Sequence, residues 1–289
     1  DQVLHAKDVP MSKESGPETV ETLMRTKEVF PPPKSILEKA WVKDYDSVYK
    51  ESIANAEKFW EGVANQLGWY KKWDKVLEWN YPWAKWFVGA QCNIIQNALD
   101  RHQTTPTKNK TAILWEGEKG ETRAITYGEL NTLVCKFANV LKSLGIKRGD
   151  RVAVYLPRIP EQFVTMLACA KIGAIHTVVY SGFSSGALQE RIKDSEAKLL
   201  VTADGSHYHG KILGLAKIVG ELKDIPTVKN VIYVKRVGTP IESSPAPALY
   251  WDELMAKASD KCETERLASE EPLYFLYTSG TTGRPKGVV

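Results

Sequence analysis

The sequence holds only four cysteines in 289 residues. Cys92, Cys135, Cys169 and Cys262 lie far apart, with no Cys-x-x-Cys pair and no histidine at zinc-finger spacing, so neither a disulfide framework nor a zinc site is indicated. They read as reduced thiols, and Cys135 and Cys169 fall on apolar helical stripes as small core residues. No apolar run approaches the roughly 20 residues of a membrane-spanning helix, and the N-terminus is too polar for a signal peptide, which makes the cytoplasm the expected location. Charge of one sign is also scarce. The 39 basic and 35 acidic residues leave +4, spread without a basic run, so neither nucleic acid nor a membrane surface is an expected partner. There is no internal repeat.

What is present is ample apolar material, 43% of the chain with 10% aromatics, enough for one large core or two ordinary ones. Residues 1–30 read as a polar tail, closed by Pro31-Pro32-Pro33. Seven of the nine tryptophans lie between Trp41 and Trp86, in two helix-like stretches around Phe59-Trp60 and from Trp69 to Trp79, and aromatics this dense are expected in a core or a domain-docking face. Residues 31–105 are therefore expected to form an aromatic-rich helical segment. From Thr111 onward, short β-branched runs alternate with amphipathic helices, the pattern of an α/β fold with a mostly parallel sheet flanked by helices, over 106–289.

Within that region Thr126 and Glu129 spell a capping box ahead of the stripe Leu130, Val134, Phe137 and Leu141, and Gly145 suits the left-handed position that ends the helix. Strands are expected at Arg151–Leu156, Ile175–Tyr180, Lys198–Thr202, Val231–Val234 and Leu273–Tyr277, with helices from Pro160, at Ser185–Asp194 and at Ile212–Leu222. His176, flanked by Ile175 and Val178, reads as a satisfied core histidine. Asp100-Arg101 reads as a local ion pair.

The segment with chemical content is Tyr277-Thr278-Ser279-Gly280-Thr281-Thr282-Gly283-Arg284-Pro285-Lys286-Gly287-Val288, directly after an apolar strand. Gly280, Gly283 and Gly287 permit backbone conformations that let amides converge on an anion. The hydroxyls of Thr278, Ser279, Thr281 and Thr282 add neutral donors, and Lys286 adds a compact cation. The spacing departs from the P-loop of nucleotide hydrolases, because Lys286 precedes a glycine rather than a magnesium-binding hydroxyl.

This loop closely resembles the phosphate-binding signature of the adenylate-forming superfamily. Trp83 to Phe87, Asn97 to His102, Ile113 to Gly117, Val134 to Asp150, Ile159 to Ile175 and Gly182 to Ile192 look like the acetyl-CoA synthetase family within it. The resemblance implies the N-terminal part of the adenylate-forming enzyme fold and a ligase with ATP, Mg2+, CoA and acetate as its small-molecule partners. A carboxylate would attack ATP to give acyl-AMP, and the CoA thiol would then attack the acyl-AMP. It assigns Thr278, Ser279, Gly280, Thr281, Thr282, Gly283 and Lys286 to the phosphates of ATP. It assigns to CoA the turn Tyr180-Ser181-Gly182-Phe183, of which Gly182 and Phe183 are singled out, together with Tyr208, His209, Gly210 and Lys211 after Ala203-Asp204-Gly205. Tyr208 and His209 stand where relatives carry arginine, which shifts phosphate recognition toward Lys211 and other groups. The magnesium-binding acid, the adenine and acyl pockets and the adenylating lysine are expected beyond Val289, in a missing C-terminal region, so no metal ligand and no catalytic residue is assigned within the chain and the fragment alone is expected to be inactive. A propionyl-CoA or other short-chain acyl-CoA synthetase and a non-catalytic module on the same fold are the alternatives.

Overall fold

The computed structural model describes residues 30–278 and 285–289. The tail expected over 1–30 lies outside the described residues apart from Phe30. The chain divides into two compact units, residues 1–56 and 57–289.

In the first unit, α1 (Lys34–Lys39) starts after the three prolines and α2 (Tyr45–Ala54) starts at Asp44, whose carboxylate accepts the Ser47 amide as an N-cap. Neither helix buries a residue. A third helix, α3 (Ala56–Ala64), begins at the boundary.

In the second unit the stretch Trp69–Trp79 is not the helix expected from its aromatics. It is a loop leading into an antiparallel hairpin, β1 (Lys75–Asn80) and β2 (Trp83–Val88), in register Asn80↔Trp83. The residues carry the reason: Tyr81-Pro82 forms the turn, and Pro82 cannot donate within a helix, while the aromatic and β-branched residues suit a pleated ribbon. Trp69, Trp73 and Phe87 cluster, with ring centroids 5.0–5.3 Å apart. Trp79, Tyr81 and Trp83 at the hairpin tip are exposed instead of buried, as is Trp41 in the first unit.

The chain then runs through β3 (Gln91–Cys92), α4 (Ile94–Ala98) and the hairpin β4 (Thr111–Glu116) and β5 (Thr122–Thr126). Helix α5 (Tyr127–Ser143) opens on the expected capping box: Thr126 Oγ1 accepts the Glu129 amide and the Glu129 carboxylate accepts the Thr126 amide. Those bonds to Thr126 hold the Glu129 carboxyl below its ordinary range. Gly145 ends the helix at φ +80°, as expected.

The parallel alternation follows as β6 (Arg151–Tyr155), α6 (Pro160–Lys171), β7 (Ile175–Val178), α7 (Ser185–Ser195) and β8 (Leu199–Ala203). A small hairpin, β9 (Ser206–Tyr208) and β10 (Lys211–Leu213), intervenes before α8 (Leu215–Gly220). The helix expected over Ile212–Leu222 is therefore shorter, because Lys211–Leu213 pairs as a strand and Gly214 separates it from the helix. Next come β11 (Asn230–Val234), β12 (Ala248–Tyr250), α9 (Trp251–Lys257), β13 (Leu267–Ala268), β14 (Leu276–Thr278) and β15 (Lys286–Val288).

Five strands form one all-parallel sheet in the order β12-β11-β8-β6-β7. The chain steps from β6 to β7 at one edge and then crosses back over β6 to β8, so right-handed crossovers put α6 and α7 on opposite faces. Val152, Ala153, Val154, Leu200, Val201, Val231 and Ile232 are buried, as a doubly covered parallel sheet requires. Phe137 of α5 stacks on Trp251 at 4.1 Å. Cys135 and Cys169 are buried and all four thiols are free.

Two sequence expectations change on contact with the packing. Asp100 does not pair with Arg101. Its carboxylate takes the Lys171 ammonium at 3.0 Å and the Thr264 hydroxyl at 2.6 Å, and Thr264 Oγ1 also accepts from Lys171 at 2.7 Å, while Arg101 donates to Asn97. His176 is buried as expected but is not satisfied: its Nδ1 has no hydrogen-bond partner among the described residues.

Candidate functional site

In an open parallel sheet, the place where strand order reverses leaves a crevice beyond the carboxyl ends of the strands, since the flanking connections leave in opposite directions. Here that point lies beside β6. A cleft of ≈ 690 Å³ opens there. Its lining comes from the segments just after four sheet strands: Pro157 and Arg158 after β6, Tyr180 and Ser181 after β7, His207 to His209 after β8, and Arg236 after β11. The β4–β5 hairpin closes it through Trp115 to Glu118.

Each wall is held by a buried polar group. Tyr155, the last residue of β6, is fully buried, and its hydroxyl lies 2.7 Å from the Phe183 carbonyl and 3.0 Å from that of Ser181. Burial pushes that phenol up to about 12, so it stays a proton donor to the turn. Gly182 packs closely under the Tyr180 ring: a Cβ there would fall 2.5 Å from it and displace the ring. Asp204, after β8, is buried and accepts the amides of Arg236 at 2.7 Å, Val237 at 3.0 Å and Gly238 at 2.7 Å. Asp204 therefore sets the turn that presents Arg236. A Cβ on Gly205 would meet the Leu213 carbonyl at 2.9 Å, so the Ala203-Asp204-Gly205 stretch acts through backbone architecture.

Cations and aromatics face the cleft. The Arg236 guanidinium stacks over Trp115 at 5.1 Å and pairs with Glu121, whose carboxyl it holds below the usual range. Trp115 Nε1 donates to the Arg158 carbonyl at 2.7 Å, which fixes the Arg158 backbone, and among the described residues the guanidinium has no hydrogen-bond or ion-pair partner. The neighbouring Tyr180 phenol pushes the Tyr208 phenol up. Sequence reasoning missed both arginines. The available signal was position: each follows directly on an apolar strand, where a parallel sheet presents its binding residues.

Of the six residues assigned to the CoA site, Tyr208 and His209 line this cleft. Gly210 shares their turn at φ +74°. Lys211 is exposed on β10 opposite Tyr208 and does not line the cleft. Gly182 and Phe183 sit in the turn after β7, just behind Tyr180 and Ser181, with the Phe183 ring edge-on to Tyr180 at 5.7 Å.

Thr278 and Lys286 are brought together elsewhere. They are directly opposite one another on β14 and β15, so the segment between them is the connection of an antiparallel hairpin. Ser279, Gly280, Thr281, Thr282 and Gly283 lie outside the described residues. The strand feeding this connection docks on α7: the Tyr277 hydroxyl donates to Asp194 at 2.6 Å, and burial together with that bond pushes the phenol up. Among the described residues no group of three or more His, Cys, Asp or Glu is placed to hold a metal ion. None of the described helices is long and apolar enough to cross a membrane.

Known proteins resemble this chain over most of its length. Residues 100–289 match the family model described as AMP-binding enzyme, and residues 45–98 match that described as acetyl-coenzyme A synthetase N-terminus. The acetyl-coenzyme A synthetase of Chlorobaculum tepidum is 44% identical over 282 residues, which are 96% of this chain and 43% of that protein. That of Methanothrix thermoacetophila is 49% identical over 233 residues, 80% of this chain and 35% of that protein. The solved acetoacetyl-CoA synthetase from Streptomyces lividans superposes with a TM-score of 0.78 at 32% identity, covering 88% of this chain and 40% of that one. The chain thus spans less than half the length of these relatives. With one family model matching from residue 100 to the end of the chain, the chain belongs to the AMP-binding enzyme family, and a second match over the aromatic hairpin makes its first part similar to the acetyl-coenzyme A synthetase N-terminus.

Proposed function

We propose that a full-length protein carrying this chain activates acetate with Mg-ATP to acetyl-AMP and then transfers the acetyl group to CoA. Two separate features carry the reading: the hydroxyl- and glycine-rich sequence between Thr278 and Lys286, residues that pair across the small β14–β15 sheet, and the arginine- and tyrosine-lined cleft at the strand ends of the five-stranded sheet. Two half-reactions need two such sites. In the first, the amides and hydroxyls of Thr278 through Gly283 and the Lys286 ammonium hold the ATP phosphates and meet charge developing on the departing pyrophosphate. In the second, Tyr208, His209 and Gly210, with the Gly182–Phe183 turn behind them, bound the path of the CoA phosphates, and Lys211 contributes from the rim. Mg2+ supplies charge neutralisation on the phosphates when bound, and no residue described here is assigned to it. The reading divides the chain into an N-terminal segment, 31–105, and a nucleotide-binding α/β region, 106–289, and it places the reaction in the cytoplasm, with small molecules as partners.

Acetate-dependent exchange of labelled pyrophosphate into ATP tests the first half. Propionate and acetoacetate belong in the same assay, because the residues choosing the acyl chain are expected outside this sequence. Lys286→Ala should lower exchange by about 10²–10³, the cost of deleting one donor to developing charge. No exchange with any short carboxylate would overturn the reading.

A further inference from the structure

The β9–β10 hairpin closes through only two residues, His209 and Gly210, both at positive φ, +50° and +74°. That is the requirement of the two-residue type I′ turn, in which Tyr208 and Lys211 pair and the two central amides point away from the ladder. Buried or not, two adjacent amides aimed the same way form a small anion cradle. In this structure the cradle is filled. Glu118, from the β4–β5 hairpin across the cleft, accepts the His209 amide at 3.1 Å on one carboxylate oxygen and the Gly210 amide at 2.5 Å on the other.

A carboxylate held by both oxygens on two convergent amides occupies the place of any tetrahedral oxyanion of similar span. The surrounding charge favours such an exchange. Arg158 lines the cleft with a guanidinium that makes no hydrogen bond or ion pair among the described residues, and Lys211 follows the turn, whereas Arg236 is already engaged by Glu121. A phosphate would gain the Arg158 guanidinium in addition to the amides, an ion pair the Glu118 carboxylate does not make among the described residues.

We propose that Glu118 is a displaceable plug: its carboxylate occupies the His209–Gly210 amides in the ligand-free protein and must leave when a phosphate of the thiol substrate binds there beside Arg158. This rests on the reading of the cleft as the thiol-substrate site. The plug sets affinity by competition, because apparent binding weakens in proportion to the fraction of molecules in which the cradle is occupied. An exposed contact of this kind is modest, so its removal should improve apparent affinity by about two- to fivefold.

The test measures thioester formation from supplied acetyl-AMP by the full-length protein, as wild type, Glu118→Gln and Glu118→Ala, each preparation normalised to its own acetate-dependent pyrophosphate exchange. CoA, 3′-dephospho-CoA and pantetheine are the thiols. The KM for CoA should fall about two- to fivefold in both variants while that for pantetheine, which has neither diphosphate nor phosphomonoester beyond its amide chain, stays the same. A gain lost with 3′-dephospho-CoA identifies the phosphomonoester as the displacing group, and a gain retained identifies the diphosphate. A KM for CoA that is unchanged or raised, or a gain shared equally by pantetheine, overturns the plug. Wild-type protein that exchanges pyrophosphate yet forms no thioester with CoA overturns the thiol-site reading beneath it, before any variant is compared.

Discussion

The guanidinium of Arg191 stacks over the Phe183 ring at 4.8 Å. The ring of Tyr277 stands 5.4 Å from the same guanidinium, which is nearly buried and also donates to the Ala187 carbonyl at 2.8 Å. One cation therefore joins the turn after β7 to the strand β14 of the β14–β15 hairpin, through the helix α7 on which it rides. Cation–π contacts out of water are worth about 1–2 kcal/mol each, enough to hold two loops in register.

Arg191→Leu in the full-length protein should consequently raise the KM for CoA and lower the pyrophosphate-exchange rate together, each by roughly tenfold for a loss of about 1.4 kcal/mol. Arg191→Lys, which keeps a cation near both rings, should recover much of both. Arg191 acts through Phe183 and Tyr277, so it is a positioning residue. A fall in active fraction alone, with KM for CoA unchanged and no rescue by lysine, would mean that it serves only the fold.

The Lys171 ammonium has 2% side-chain exposure and depends on Asp100 and Thr264 for its partners. Asp100→Ala leaves that charge buried with only a hydroxyl, and the expected loss is about 3 kcal/mol. Adding Lys171→Met to Asp100→Ala should restore a large part of it, since replacing both partners of a buried pair is far less damaging than removing one. Urea unfolding of the two variants beside wild type checks this. A double variant no more stable than Asp100→Ala would show that packing around Lys171, rather than its charge, dominates.

Local signals were legible in the sequence and long-range ones were not. The Thr126–Glu129 box, the left-handed glycine at 145 and the β-α alternation from Arg151 to Ala203 depend on residues within one or two turns of each other, and each appears where the pattern put it. The Trp69–Trp79 stretch failed because aromatic spacing fits a helix and a ribbon alike, and the turn at Tyr81-Pro82 decided between them. Asp100 found Lys171, 71 residues away, in preference to its neighbour Arg101. The cleft residues Arg158 and Arg236 are invisible as a motif because the sheet order, not the sequence spacing, brings β6 and β11 to one rim. Tyr208 and His209 were legible only through the resemblance, and their neighbour Glu118 comes from 91 residues away from His209.

His176 supplies a pH dependence with a definite sign. It lies on β7, 5% exposed, with its ring stacked on Tyr274 at 5.5 Å and Nδ1 without a partner among the described residues. Burial pushes its pKa down from 6.5 to about 4, with no charged neighbour contributing. The folded protein therefore keeps the imidazole neutral where the unfolded chain already binds a proton. As pH falls below 6.5 the unfolded state gains that proton first, so stability is lost progressively until about pH 4, where the folded state titrates too. The accumulated loss from this one group is on the order of 3 kcal/mol. Other groups also contribute to acid unfolding, so the decisive quantity is the difference between wild type and His176→Phe, which keeps an aromatic ring against Tyr274 and removes the titration. That difference should be constant above pH 7 and should shift by on the order of 3 kcal/mol in favour of the variant between pH 6.5 and 4. A difference that stays flat across this range would mean that water or a carboxylate reaches Nδ1 in solution, and one that shifts in favour of wild type would require an anion paired with the protonated ring.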